Sequence, residues 1–401
     1  MMDREVAELI RLEEERQANT LNLIASENHT SKAVREANGS IFTEKYSEGY
    51  PGKRYYAGCE IVDRLESHAI NLAKQLFDVN FVNLQPYSGS SANLATYAAL
   101  AGVGDKIMGQ ALSDGGHLTH GSKASLVSSF FKFEQYGVNQ QGWIDYDKLE
   151  KLAKKFQPKV VVAGTSAYPR LIDWDRLKKI ADQVNAYLVA DIAHLSGLVA
   201  GKAIPSPVGI ADVITSTTQK SIRGPRGGMI MTNDEELAIK IDRAVFPGLQ
   251  GGPHQHSIAA KAQAFHEALQ PDFTNYASQV IKNAQALAKA LQDHGVELWS
   301  DGTDTHLLVF NSYQAFDLTG LESKDLLADQ GIITSQSQVP NDPLPPIQSS
   351  GIRLGTAALT TRGMREEQMT TIAEIIVRVL RGKENLRSDV LSLAKQFKLP
   401  D

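Results

Sequence analysis

One cysteine, Cys59, is present among the 401 residues. A disulfide or a cysteine-based metal site within one chain is thereby excluded. Long apolar runs are also missing. The strongest stretch, residues 187–203, is interrupted by Asp191 and His194, so no segment reads as a membrane span. Neither sign of charge dominates: 41 Lys and Arg stand against 46 Asp and Glu, a net charge of −5 without a basic block. That balance speaks against a nucleic-acid partner. There is no internal repeat and no low-complexity segment. Residues 1–17 are acidic and amphipathic and lack the apolar core of a secretory signal, so the expected location is cytoplasmic.

What is present is a globular composition, 42% hydrophobic and 22% charged, enough for two or three domains. Helical spacing predicts helices over residues 6–16, 62–77, 94–101, 149–156, 174–184, 235–245, 258–269, 275–295, 324–330 and 364–380. Short apolar runs predict strands at 81–84, 106–108, 160–163, 186–190, 211–214, 229–231, 306–310 and 352–354. From residue 105 to about 230 strands and helices alternate. That alternation predicts an α/β fold with a mostly parallel sheet and functional residues at strand ends. A break near Pro271 marks a candidate boundary before a smaller α+β domain.

Four stretches carry chemistry. The first, A-D-V-I-T-S-T-T-Q-K-S-I-R-G-P-R-G-G (211–228), places Lys220 beyond an expected strand end, before a Gly- and Pro-rich turn. A lysine shielded there can lose its proton and attack an aldehyde, although the stretch taken alone favours a solvated surface lysine. The second, Q-P-Y-S-G-S-S-A-N (85–93), runs from strand to helix, and its serines suit a phosphate at a helix N-terminus or a simple N-cap. Asp191 and His194 follow a strand in the third, where an aspartate can hold a proton on a heterocyclic ring nitrogen. His117, His120 and His194 lack a metal-binding spacing, which leaves metal the weakest option. In the fourth, S-S-G-I-R-L-G-T, Arg353 suits either a substrate carboxylate or a structural acid. The loop T-E-K-Y-S-E-G-Y-P-G-K-R-Y-Y-A-G (43–58) carries four tyrosines, for binding or for an oligomer contact. Together these parts are what pyridoxal 5′-phosphate requires when it is held as a Schiff base and acts on an amino acid.

The segments L-I-A-S-E-N, Y-S-E-G-Y-P-G-K-R-Y-Y, Q-P-Y-S-G-S-S-A-N, D-G-G-H-L-T-H-G, D-I-A-H-L-S-G-L-V-A, K-S-I-R-G-P-R-G-G, Q-G-G-P-H and S-G-I-R-L-G-T resemble serine hydroxymethyltransferase, in family order from about residue 20 to about residue 380. The resemblance implies a type I, aspartate-aminotransferase-like fold, dimeric or a dimer of dimers, with the active site at the subunit interface. It implies an arm over 1–43, a large pyridoxal-phosphate domain over 44–270 and a small C-terminal domain over 271–401. It also implies interconversion of serine and glycine with tetrahydrofolate as one-carbon carrier. By the same resemblance Lys220 holds the cofactor aldehyde, His117 stacks on the ring and Asp191 holds the ring nitrogen. Ser166 and His194 contact the phenolate oxygen side. Ser88, Gly89 and Ser90 bind phosphate, joined across the interface by Tyr46 and Gly252. Arg353 takes the substrate carboxylate with Ser26 and Tyr56 nearby, and Glu48 is the acid–base group at the substrate hydroxyl.

Two departures stand near substrate and folate. Gln219 replaces the family's His before the lysine, and Ser337 replaces an Asn that contacts the pterin. Ala357 also replaces a familiar Pro. A folate-independent sibling with aldolase, transaldolase or other chemistry is therefore an alternative, and a catalytically silent binding or regulatory paralogue a further one.

Overall fold

A computed structural model describes residues 2–400, so Met1 and Asp401, the ends of the expected first and last domains, lie outside the described residues. By packing, the chain divides into two compact units, Thr30–Ser278 and Met1–His29 with Gln279–Asp401. The expected arm over 1–43 is thus split, its first part packing with the C-terminal residues. The expected break near Pro271 falls between the helices Gln255–Ala268 and Pro271–Asp293, and Pro271 itself opens the second, a position where its fixed φ and missing N–H are harmless.

The unit Thr30–Ser278 is built on a seven-stranded sheet. Its strands are β1 (Phe81–Asn83), β2 (Lys106–Gln110), β3 (Lys132–Tyr136), β4 (Val160–Gly164), β5 (Tyr187–Asp191), β6 (Val213–Thr217) and β7 (Gly228–Thr232). They lie in the order β1-β7-β6-β5-β4-β2-β3. Only β7 runs against its neighbours. The sheet is therefore mostly parallel, as the alternation of elements predicts. V-V-V-A-G in β4 and G-M-I-M-T in β7 are buried at all five positions, as strands covered on both faces must be. Ala92, Ala95 and Leu100 of the helix Gly89–Leu100 and Leu237 and Ile241 of the helix Glu235–Arg243 pack on Val160, Val162, Val189, Val213 and Ile230.

Two elements differ from expectation. The strand predicted to end at Ile214 continues through Thr217, because each hydroxyl of the T-S-T run finds a buried acceptor. Thr215 donates to Asn93 Oδ1 (2.6 Å), Ser216 to Thr217 O (2.9 Å) and Thr217 to Ala193 O (3.2 Å). The edge strand β3, K-F-E-Q-Y, has no apolar run because most of it faces solvent.

The second unit holds a three-stranded antiparallel sheet of β8 (Leu307–Asn311), β9 (Ser335–Ser337) and β10 (Gly351–Gly355), with β10 in the middle. Leu308, Phe310, Ile352 and Leu354 pack on Leu287 and Leu291 and on Ile372, Ile376 and Leu380 of the helix Glu366–Gly382. The N-terminal residues are tied in by backbone pairing of Leu21–Asn22 with Ile332–Ile333. Buried Arg362 adds to this by donating to the carbonyls of Gln17, Ala18, Thr20, Ala394 and Phe397.

Candidate functional site

The parallel strands end on one edge of the large sheet. Gly164, Asp191 and Thr215 are aligned across β4, β5 and β6, and the loops beyond them hold Ser166, His194 and Lys220. Lys220 is three residues past β6 and buried, with its carbonyl accepting from Arg223 N–H at 3.0 Å. Gly164 admits only a hydrogen at Cα, since a Cβ would come within 2.3 Å of Asp191 O.

Asp191 is the most strongly partnered group. Oδ1 accepts from Ala193 N–H (3.0 Å), and Oδ2 accepts from Asn93 Nδ2 (2.8 Å) and from His120 Nε2 (3.1 Å). His120 Nδ1 receives His117 N–H (3.3 Å), which fixes the proton of His120 on Nε2, facing the carboxylate. Burial would raise the Asp191 pKa, but the hydrogen bond and pull of His120, then those of His117 and Asn93, hold it well below the usual carboxylate range. His117 is pushed down to about 4 by burial, assisted by His120 and Lys220 against the pull of Asp191. Its Nδ1 accepts from Thr119 N–H (3.2 Å). Buried Lys220 and Asp191 and half-buried His117 therefore share one electrostatic environment.

The neighbouring loops close around them. Ser166 N–H donates to Gly115 O (2.7 Å), joining the end of β4 to the loop that leads to His117. Buried His194 accepts on its carbonyl from Ser221 Oγ (2.9 Å), beside Lys220. Ser88 caps the helix Gly89–Leu100 in a reciprocal box with Ser91, so the capping alternative holds for Ser88 and Ser91. That box does not use Ser90, which is exposed, and the first N–H groups of the helix have no partner within it. Gly89 lies against Thr217, where a Cβ would stand 2.7 Å from Cγ2.

A second group forms apart from the lysine. Tyr46 and Tyr56 rings are 5.2 Å apart, and the Tyr46 ring lies on Gly252, where a Cβ would meet Cε1 at 3.0 Å. Glu48 is beside them; with burial and Tyr46 it raises the Tyr56 phenol pKa, burial being the largest cause. Tyr87 OH donates to Gly252 O (2.7 Å), which links this group to the loop before Ser88.

In the C-terminal unit Arg353 lies opposite Ser335 in the sheet and donates from Nε to Ser335 Oγ (3.3 Å). Burial lowers its guanidinium pKa to about 10. Gly355 abuts Ala25, the residue before Ser26, with its N–H on Leu23 O (2.8 Å). Ser337, one of the two departures, pairs with Gly351 on the same edge strand as Ser335.

Asn93, Thr119 and Thr215, which build the hydrogen-bonded shell of Asp191, are not signalled by the sequence. Asn93 donates to both Thr119 Oγ1 (2.8 Å) and Asp191. A lone buried Asn in an Ala-rich helix was the available cue. Buried His120 is a hydrogen-bond donor to Asp191.

The family profile described as serine hydroxymethyltransferase matches residues 1–376. The chain is 48% identical over 399 residues to a probable serine hydroxymethyltransferase of Mesomycoplasma hyopneumoniae strain 232, covering 100% of this chain and 96% of the relative. It is 49% identical over 410 residues to a serine hydroxymethyltransferase of Mycoplasma mobile, covering 100% and 98% of the two chains. To the serine hydroxymethyltransferase of a Wolbachia strain from Drosophila simulans it is 52% identical over 381 residues, covering 95% and 89%. With similarity running the length of the chain, through both units, the protein belongs to the serine hydroxymethyltransferase family.

Proposed function

We propose that the protein interconverts serine and glycine, with pyridoxal 5′-phosphate on Lys220 and tetrahydrofolate as the one-carbon carrier. The observation that carries this is the Asp191 carboxylate, hydrogen-bonded by Ala193 N–H, Asn93 and His120 and held below the usual carboxylate range, beside buried Lys220 and half-buried His117. Such a set fits a heteroaromatic aldehyde with a basic ring nitrogen. When bound, the cofactor supplies an electron sink for the pair released at the substrate's Cα. Asp191, held ionised, keeps the ring nitrogen protonated. His117, neutral above about pH 4, lies on the ring without adding charge. Lys220 would hold the cofactor's aldehyde carbon. Ser88, Gly89 and Ser90 take the phosphate at the helix N-terminus, where open N–H groups and the helix dipole favour an anion.

Ser166 and His194 face the phenolate oxygen side. Glu48 takes or returns the proton of the substrate hydroxyl as the Cα–Cβ bond breaks or forms, which is aldol-type cleavage. Arg353 grips the carboxylate, with Ser26 and Tyr56 alongside. Tyr46 and Gly252 reach the phosphate of a partner subunit, in a homodimer or dimer of dimers working in the cytoplasm. The large domain (44–270) binds cofactor and the small domain (271–401) serves substrate. Full-length similarity to relatives named for the serine reaction favours this over a folate-independent sibling, for which Gln219 and Ser337 are the only grounds.

The test is the absorption spectrum of purified protein with glycine, with and without tetrahydrofolate, alongside serine cleavage. A yellow protein that reduction labels on Lys220, with a glycine spectrum changed by folate, is expected. A wild type that binds no pyridoxal phosphate rejects the proposal. Serine turnover indifferent to folate rejects the one-carbon carrier.

A further inference from the structure

The loop bearing Tyr46 and Glu48 closes as a two-rung hairpin, in which Gly49 faces Arg54 and Tyr50 faces Lys53. Gly49 has φ +95°, and a Cβ there would come within 2.3 Å of Lys53 O. An isolated hairpin of this size is marginal in water. Its backbone is nevertheless held at three consecutive carbonyls. Ser47 O accepts from Arg54 Nη1 (2.9 Å), Glu48 O from Tyr55 N–H (3.1 Å), and Gly49 O from Arg54 Nη1 (2.7 Å) and Gln85 Nε2 (3.0 Å). One guanidinium nitrogen therefore bridges the carbonyls on either side of Glu48.

The remainder of that guanidinium is braced from the helix Glu60–Phe77. Nε donates to Asp63 Oδ1 (2.8 Å) and Nη2 to Glu66 Oε2 (2.5 Å). The Arg54 and Glu66 side chains are 3% and 1% exposed. Glu66 also accepts from Gln85 Nε2 (2.7 Å) and Gln255 Nε2 (3.2 Å), while Gln255 Nε2 reaches Ser47 Oγ (3.0 Å). Asp63 takes Gly52 N–H at 2.9 Å. A buried ion pair is a poor source of net stability, because desolvation cancels much of the attraction. What this pair does is fix a short exposed loop in one place.

We propose that Arg54, braced by Glu66 and Asp63, is a positioning residue that sets the Glu48 carboxylate by clamping the peptide groups on either side of it, an inference that rests on Glu48 handling the hydroxyl proton of the substrate. Lysine in its place keeps the charge, but a point donor does not span two carbonyls and two carboxylates.

The test is a kinetic double-mutant cycle on the holoenzyme with Arg54→Lys, Glu48→Gln and the pair, following serine cleavage. Arg54→Lys is expected to lower kcat by about ten- to hundredfold, with cofactor absorbance unchanged and the serine KM moving far less. On the Glu48→Gln background the same change should cost almost nothing. Amide exchange in residues 44–56 should be faster in Arg54→Lys. Equal losses on both backgrounds overturn the clamp and leave Glu48 standing. A Glu48→Gln variant with full activity removes both assignments. Should Arg54→Lys fail to fold, Asp63→Asn, which loosens the brace from its more exposed side, enters the same cycle with a smaller expected loss. Additivity there overturns the clamp equally.

Discussion

Gln219 stands beside Lys220, and its Oε1 is buried with no hydrogen-bond partner among the described residues. An acceptor left that way costs about 1–3 kcal/mol. A bound substrate or cofactor donor would recover that cost. Gln219→Met should therefore leave the apoprotein as stable or more so, while kcat/KM for serine falls about tenfold. A destabilised apoprotein with unchanged kinetics would mean that the oxygen serves the fold. His117 allows a second test, in pH. Its folded value of about 4 lies below the ordinary histidine value, so folding expels a proton. The associated stability is complete above about pH 6.5 and is lost as pH falls toward 4. Thermal melts of apoprotein across that window should drop less steeply for His117→Asn than for wild type. Parallel slopes would assign the acid sensitivity to other groups. The places of Lys220 and Asp191 past strand ends were legible, although position alone left a solvated lysine open and only the other motifs together pointed to a site. Asn93, His120 and the Arg54–Glu66 pair were not, because what makes them matter is partners 71, 98 or 12 residues away in sequence.

Among the elements, the helix Gln255–Ala268 shows how a polar group can be structural in spite of its chemistry. Lys261, 2% exposed, lies among alanines and Phe265 and donates to Leu84 O (2.7 Å) and Gly228 O (2.8 Å). Those carbonyls lie at the end of β1 and the start of β7, so the ammonium pins the helix to the strands that flank the 85–90 loop. Burial lowers its pKa to about 7, against the pull of Glu66. Lys261→Met keeps the length and removes both donors, and should cost about 1–3 kcal/mol of stability in urea unfolding. No loss would mean that the carbonyls find other donors. Strands buried on both faces were legible as apolar runs. The boundary at Thr217 was misread because a T-S-T run signals a loop only when its hydroxyls lack buried acceptors, which composition does not report. The break near Pro271 was legible, and the same proline opens the next helix, where its missing N–H is harmless.

On the scale of the whole molecule, the question is which chain supplies Glu48. Tyr46, Tyr55 and Tyr56 are 55%, 76% and 45% exposed, and Val6, Leu9, Ile10 and Leu12 lie on the helix Arg4–Ala18, which buries none of its residues. Exposed aromatic groups of this size are enriched at protein interfaces. If Tyr46 serves a partner's phosphate, Glu48, two residues on and fixed in the same hairpin, serves the partner's substrate as well. Two strongly impaired variants should then rescue each other. Lys220→Ala removes the amine proposed to hold the aldehyde, and Glu48→Gln the carboxylate proposed to handle the proton. Mixed in equal amounts and allowed to exchange subunits, they form hybrids for about half of all dimers, each with one intact site of two. Serine cleavage should recover to about a quarter of wild type. If Glu48 instead works beside the Lys220 of its own chain, every site in the hybrid lacks one group and the mixture stays inactive.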